Sequence, residues 1–143
     1  FDGNKKIKGR KRHILVDTLG LIIAVVVTSA HTDDRLGLVE LLSPYFADGV
    51  KRLRKIWVDG AYPAAWLEEW VRGLKQTHKI DLEATTTQEG KGFRVIPWRW
   101  AVERTFAWLL NDRRHSRDYE RLTANSAAMI QISMIRLLLN RWA

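Results

Sequence analysis

The chain has 143 residues, 46% of them hydrophobic, which is enough for one ordinary domain burying roughly 70% of the surface its unfolded form exposes. Lysine and arginine number 24 against 16 aspartate and glutamate, and the net charge of +8 suits a polyanionic partner, whether nucleic acid or an anionic surface. The absence of cysteine excludes a disulfide framework, a thiolate zinc site and a cysteine nucleophile. No apolar run approaches the roughly 20 residues of a membrane span, so no membrane partner is expected. No secretory signal is visible, and a cytoplasmic protein is expected. The chain opens on Phe1 and its first dozen residues read as the middle of something longer, so a fragment is expected.

Residues 1–12 are rich in glycine and cations, with Lys5, Lys6, Lys8, Arg10, Lys11 and Arg12 close together. His13–Val16 and Leu21–Val27 are dominated by β-branched residues, and Asp17-Thr18-Leu19-Gly20 between them has the residues of a four-residue turn. A hairpin is predicted. Thr32-Asp33-Asp34 can cap a helix whose apolar positions are Leu36, Val39, Leu42 and Phe46, with Pro44 and Gly49 marking its end.

Leu53–Val58 reads as a short buried strand that ends at Asp59-Gly60. Pro63 opens a helix with Trp66, Leu67, Trp70, Val71 and Leu74 as its stripe. Ile80–Thr85 alternates as a strand does, Gly90 and Gly92 make a loop, and Pro97 starts a helix bearing Glu103. A last helix over 124–142 is predicted to bury Met129, Ile132, Ile135, Leu138 and Leu139. The order is β-β-α-β-α-β-α-α, with no internal repeat and no long linker. It predicts a single α/β domain over 1–143 with a mixed sheet flanked by helices.

Two carboxylates stand out in a chain loaded with positive charge. Asp59 directly follows an apolar strand, and ligand sites of open α/β sheets cluster at strand carboxyl ends. A plain turn-forming Asp-Gly explains it equally. Glu103 sits mid-helix among Trp98, Trp100, Phe106 and Trp108, one turn after Arg99. The bland alternative is a surface ion pair with Arg99, worth about 0.3–0.5 kcal/mol. Acids kept ionised amid arginines are what magnesium-dependent phosphoryl transfer on nucleic acid requires. Asp17 reads as a turn former bonding its own backbone, and Asp33 and Asp34 as helix caps. His13, His31, His78 and His115 lack metal-ligand spacing, and neither a phosphate-binding glycine loop nor a nucleophile elbow is present. The basic stretch from Lys5 to Arg12 and a second cluster of Arg113, Arg114, Arg117 and Arg121 can meet phosphates by charge, positioning a duplex without reading its sequence.

Four stretches together resemble one family. Lys5-Lys6-Ile7-Lys8-Gly9-Arg10-Lys11-Arg12-His13-Ile14-Leu15-Val16-Asp17-Thr18-Leu19-Gly20-Leu21, Trp57-Val58-Asp59-Gly60-Ala61-Tyr62, Arg99-Trp100-Ala101-Val102-Glu103-Arg104-Thr105-Phe106-Ala107-Trp108-Leu109 and Asp118-Tyr119-Glu120-Arg121-Leu122 are similar to bacterial insertion-sequence transposases of the DDE type. The resemblance covers almost the whole chain. It implies an RNase H-like catalytic domain in which two aspartates and a glutamate hold two divalent metals, Mg2+ or Mn2+, for DNA strand cleavage and joining. Asp59 takes the place of the second acid, Glu103 of the third, and Arg99 that of the arginine four residues earlier. The family's first aspartate lies upstream of the basic stretch, so the first strand is expected to be missing and Asp17 is no substitute. That loss is expected to expose a hairpin edge, either a liability for solubility or a docking site for the missing amino-terminal segment. The related tyrosine–arginine–glutamate–lysine pattern would put its tyrosine at Ile96 and its lysine at Leu110, so Arg113 or Arg114 is the candidate for that cation.

The resemblance implies transposition, with double-stranded DNA at the element ends and at the target as partner, and a homo-oligomer at paired ends. Two readings stand beside it. One is a DNA-binding remnant or truncated regulator without catalysis; the other is an RNase H-like nuclease that cuts without joining.

Overall fold

Asp17 sets the first turn. In the computed structural model, which describes residues 6, 8–47, 53–59, 65–85 and 99–142, its Oδ1 accepts from the backbone N–H of Leu19 and of Leu21, both at 2.8 Å. The N–H of Gly20 donates to the carbonyl of Asp17 at 3.0 Å, and Gly20 takes φ +80°, a conformation glycine adopts without a Cβ penalty. The turn joins β1 (Arg10–Val16) to β2 (Ile22–Ser29) as an antiparallel pair, with Arg10 opposite Ser29 and a bulge between Leu15 and Val16. The predicted hairpin is therefore present. Its first strand starts three residues early, inside the basic stretch.

Asp33 caps α1 (Asp34–Ala47) as expected: its Oδ1 accepts from the N–H of Arg35 at 2.9 Å, while the Arg35 guanidinium closes on the same carboxylate. That guanidinium and backbone N–H together pull the Asp33 carboxyl down to about 2. The buried face of α1 differs from the predicted stripe. Leu38, Leu41, Leu42 and Phe46 are buried and Leu36 is exposed, because α1 turns Gly37 toward β1, where the His13 ring occupies the space of a Cβ. The helix also runs through Pro44.

β3 (Lys55–Asp59) and β4 (Asp81–Thr85) pair in parallel, Asp59 opposite Thr85. Parallel strands need a crossover connection, and α2 (Ala65–His78) supplies it. Ile56 and Val58 are buried while Trp57 is exposed, the alternation of a strand covered on one face. Leu67 and Leu74 are the buried part of the predicted α2 stripe. The helix stops where Lys79 adopts φ +57° and its N–H returns to the carbonyl of Lys75 at 3.1 Å.

The two remaining helices, α3 (Arg99–Leu110) and α4 (Thr123–Trp142), are linked through a 3-10 turn at Arg113–His115. Val27 of β2, Leu109 of α3 and Ile130 of α4 form a core with Ile22, Val25, Phe106 and Ala127 around it. Here the predicted burial of α4 is overturned. Ser126, Ile130 and Met134 are its buried positions, while Ile132, Ile135, Leu138 and Leu139 are exposed. Its apolar residues span more than half of the helix circumference, so the sequence period does not say which part of that arc meets the core.

The order of elements is the predicted one, and the fold is mixed α/β. Among the described residues the strands form two two-stranded sheets, one antiparallel and one parallel. The chain divides into two compact units, Phe1–Leu42 with Trp100–Ala143, and Ser43–Arg99. The predicted features at Gly49, Gly60, Pro63, Gly90, Gly92 and Pro97, and the cation Lys5, lie outside the described residues. Among the described residues no helix is long and apolar enough to cross a membrane.

Candidate functional site

Each acid singled out in the sequence has its own structural address. Asp59 is the last residue of β3, at the carboxyl end of a parallel strand, within the second unit. Its side chain lies outside the described set. Glu103 belongs to the first unit and is exposed in the first half of α3, one turn past Arg99, whose backbone opens the helix. Among the described residues, Trp100, Phe106 and Trp108 leave Glu103 exposed, and Trp98 lies outside the described residues. Ala101, Thr105 and Leu109 carry the buried side of α3, and Trp100 projects into solvent.

The helix bearing Glu103 is fastened to the hairpin turn. Thr105 has no exposed surface, and its hydroxyl donates to the carbonyl of Gly20 at 2.6 Å or of Ala101 at 2.9 Å. A Cβ on Gly20 would come within 3.0 Å of the Thr105 hydroxyl and 3.2 Å of the Ala101 carbonyl. Arg104 donates to the neighbouring carbonyl of Leu19. Its guanidinium lies over the rings of both Trp100 and Trp108, 4.1 and 4.8 Å from their centroids. Among the described residues its buried Nε has no hydrogen-bond partner, and the negative faces of the two indoles compensate that charge instead. Arg141 of α4 covers Trp108 as well, at 4.1 Å. The i, i+4, i+8 spacing of Trp100, Arg104 and Trp108 is a readable signal for part of this ladder. Nothing local points to Arg141 or to the Gly20 contact.

The two basic clusters, remote in sequence, meet in the first unit. Arg10 reaches from β1 to the carbonyls of Glu120 and Arg121, at 2.8 and 2.7 Å, and pairs with Asp118 at 3.0 Å. The Arg12 guanidinium approaches the carbonyl of His115 at 3.5 Å. Lys11 pairs with Asp34 at 2.9 Å and donates to the carbonyl of Thr32. Arg114 is held by Glu120 and stacks over Tyr119. Lys6, Lys8, Arg113, Arg117 and Arg121 are exposed around these joints. Part of the positive charge thus holds the unit together, and part is presented to solvent.

Behind the Arg113–His115 turn is a polar network that the sequence does not announce. Asp112 caps the turn by accepting from the N–H of Arg114, and its other oxygen accepts from Ser133 at 2.9 Å. Those two donors lower the Asp112 carboxyl below its ordinary value. His115 lies 2.7 Å from the same Ser133 hydroxyl, and its burial, reinforced by Arg12, pushes the imidazole pKa down.

A family model described as Transposase DDE domain matches residues 1–138. The chain belongs to the DDE transposase family. It is 29% identical over 131 residues, 87% of its length, to a putative transposase for insertion sequence element IS402 from Burkholderia cepacia. This chain spans 60% of that relative's length. No solved structure matches it.

For a DDE transposase, the oxygen donors of Asp59 and Glu103 are of the right kind for a hard divalent cation. The exposure of Glu103 leaves room for the waters such an ion keeps. Among the described residues no group of three histidines, cysteines or acids is gathered closely enough to hold a metal. Of the cations named as stand-ins for the family's lysine, Arg113 is exposed and Arg114 is engaged by Glu120, while Leu110 itself is exposed at the end of α3. Ile96 lies outside the described residues.

Proposed function

We propose that this chain is the catalytic part of a DDE transposase, a single RNase H-like domain that acts in DNA transposition by cleaving and joining strands at insertion-sequence ends. The observation that carries the reading is the pairing of addresses: Asp59 ends a parallel strand, and Glu103 stands exposed on a helix one turn after Arg99, inside a chain matched from residue 1 to 138 by the family. Asp59 and Glu103 are the residues that would hold Mg2+ or Mn2+. A bound divalent metal would activate a water or a DNA 3′-hydroxyl for attack and would stabilise the leaving oxygen. Arg99 lies on the Glu103 face of α3 and orients either that carboxylate or a phosphate beside it.

Double-stranded DNA is the partner. Lys6, Lys8 and Arg113 meet its phosphates directly, joined by Lys5 and by whatever charge Arg10, Lys11, Arg12 and Arg114 retain beyond their internal pairs.

The experiment is strand cleavage and strand transfer on duplexes carrying an element end, with Mg2+ or Mn2+. In a form reconstituted with a segment that supplies the first acid, Asp59→Asn and Glu103→Gln are expected to abolish both reactions while DNA binding and the circular dichroism spectrum are kept. Turnover surviving in either variant removes that residue from the site. A wild-type chain that binds ends without cutting them establishes the DNA-binding remnant instead, and cutting without joining establishes the nuclease. In a salt titration of binding, neutralising Lys6, Lys8 and Arg113 together should flatten the slope of log affinity against log salt, by about one unit for each phosphate left without its cation.

A further inference from the structure

One hydroxyl holds both ends of the Arg113–His115 turn. Asp112, which caps the turn, accepts from Ser133 of α4 at 2.9 Å, and His115, which closes it, has Nε2 2.7 Å from the same Oγ. Arg113 and Arg114 lie between these two anchors and are exposed. Arg114 is engaged by Glu120 and lies over Tyr119, while Arg113 is presented to solvent.

Proton accounting gives the network a direction. Ser133 has one hydroxyl proton to donate. Asp112 is ionised, its carboxyl lowered by the Arg114 N–H and by Ser133, so it only accepts. A bare Nε2 on His115 would compete for the same proton, and the losing acceptor would face the Oγ lone pairs at 2.7 or 2.9 Å. A proton on Nε2 removes the conflict: Nε2–H donates to Oγ, and Oγ–H donates to the carboxylate. The Met129 carbonyl is a further acceptor beside the ring, and an imidazolium would serve both. Burial, Arg12 and Arg114 disfavour that charged form, so above pH 6.5 the ring has a single proton to place. The charge-assisted bond to Asp112 is the strongest one at stake, which puts that proton on Nε2.

We propose that Ser133 is the positioning residue of the basic turn: a relay from His115 Nε2–H through Ser133 Oγ to Asp112 locks the turn to α4 and fixes Arg113 for contact with a DNA phosphate. Without the hydroxyl, the buried His115 loses the acceptor of its Nε2–H. Asp112 keeps the Arg114 N–H and Arg136, whose guanidinium stands 4.0 Å away. Both ends of the turn leave α4 together, and Arg113 loses its fixed address. The inference rests on the reading of Arg113 as a phosphate contact, and it names the group that aims it.

Nitrogen NMR and salt titration test the two halves of the proposal. In the neutral ring, well above pH 6.5, the His115 nitrogen shifts should place the proton on Nε2. Asp112→Asn should move it to Nδ1. The amide oxygen stays on the Arg114 N–H, the amide NH2 then faces Oγ, and Ser133 must turn its proton to the ring. A wild-type proton on Nδ1, or a ring indifferent to Asp112→Asn, overturns the relay even if Ser133→Ala fails to fold. In duplex binding, Ser133→Ala should lower the slope of log affinity against log salt by about one unit, the share of one phosphate contact. Ser133→Thr, which keeps a hydroxyl, should restore it. In an Arg113→Gln background Ser133→Ala should leave the slope where it is, because the cation it aims is gone. A slope indifferent to Ser133→Ala in a chain that binds duplex, or a further fall in the Arg113→Gln background, overturns the inference and leaves the DNA reading standing. A wild-type chain that binds no duplex removes that reading, and this inference with it.

Discussion

Beside its apolar core, the first unit is tied by polar side chains that reach across the length of the chain, whereas the second rests on apolar packing around one parallel pair. In the first, Thr105 bonds Gly20, Arg104 bonds Leu19, and Arg10 bonds Glu120 and Arg121. In the second, Ile56, Val58, Leu67, Leu74 and Ile80 are buried around one parallel pair, and ion pairs such as Lys55–Glu83 and Lys75–Asp81 are exposed. The difference teaches where single substitutions should travel. A buried hydroxyl or guanidinium that satisfies a distant carbonyl has no substitute, so its loss leaves an unpaired group and frees a whole segment. An exposed ion pair has water as its alternative. The two proposed acids fall on either side of this divide, Glu103 on the polar-tied unit and Asp59 on the apolar one.

Gly20→Ala is the strongest test of the contrast. The residue sits at φ +80° with its missing Cβ directed at Thr105, Ala101 and the Trp108 ring, within 3.0–3.2 Å. Left-handed strain and overpacking together should cost about 2–4 kcal/mol. In native-state hydrogen exchange, amides of α3 and α4 should lose protection while those of α2 and β4 keep theirs. Equal losses in α2 would show that the two units unfold as one and would break the comparison.

Arg10→Gln comes next. It removes one ion pair and two charge-assisted bonds that hold the segment 118–121 to β1. Because the site is only partly buried, solvent screening limits the loss to about 1–2 kcal/mol. Urea denaturation should show it. The same variant should reduce DNA affinity less than neutralising exposed Arg113 does; an equal reduction would mean that Arg10 meets phosphates as fully as Arg113.

How far all this can be read from sequence follows the same division. The hairpin is legible because its information is local: alternating β-branched residues and an Asp-to-Gly turn whose bonds span four residues. The cap at Asp33 and the ends of β3 and β4 are legible for that reason too. Arg10–Arg12 read as a solvated arm because their charge is visible and their strand partner, Ser29 to Val27, is remote. The buried side of α4 is not legible, because Ile130 and Met134 alternate with Ile132 and Ile135, and an apolar arc wider than one face leaves the helix's orientation to β2. The acids stand out by motif and by position after a strand or within a helix. Their chemistry is a matter of side-chain convergence, which no spacing encodes.

Acid should reveal the contrast in one measurement. His13 and His115 both belong to the first unit, and burial lowers the pKa of each below 6.5. A histidine whose folded pKa is depressed takes up more protons unfolded, so stability falls as pH drops through 6.5 and levels off below the folded value. His115→Gln can still accept from or donate to Ser133 and should flatten part of that loss. The effect should appear in α4 amide protection and not in that of α2. A slope unchanged by the substitution would mean that His115 does not titrate in this range.

The smallest effect belongs to the second unit. Lys55 of β3 pairs diagonally with Glu83 of β4, whose register partner is Trp57, and both side chains are about half exposed. Lys55 also lies over the Trp57 ring at 5.4 Å. Lys55→Gln leaves a somewhat shorter, neutral polar side chain, and water replaces the carboxylate's partner. The expected loss is below about 1 kcal/mol and should shrink further as salt is raised. A loss as large as that from Arg10→Gln, persisting in high salt, would mean that the parallel pair also depends on a polar tie. The distinction between the two units would then fail at the strand that ends in Asp59.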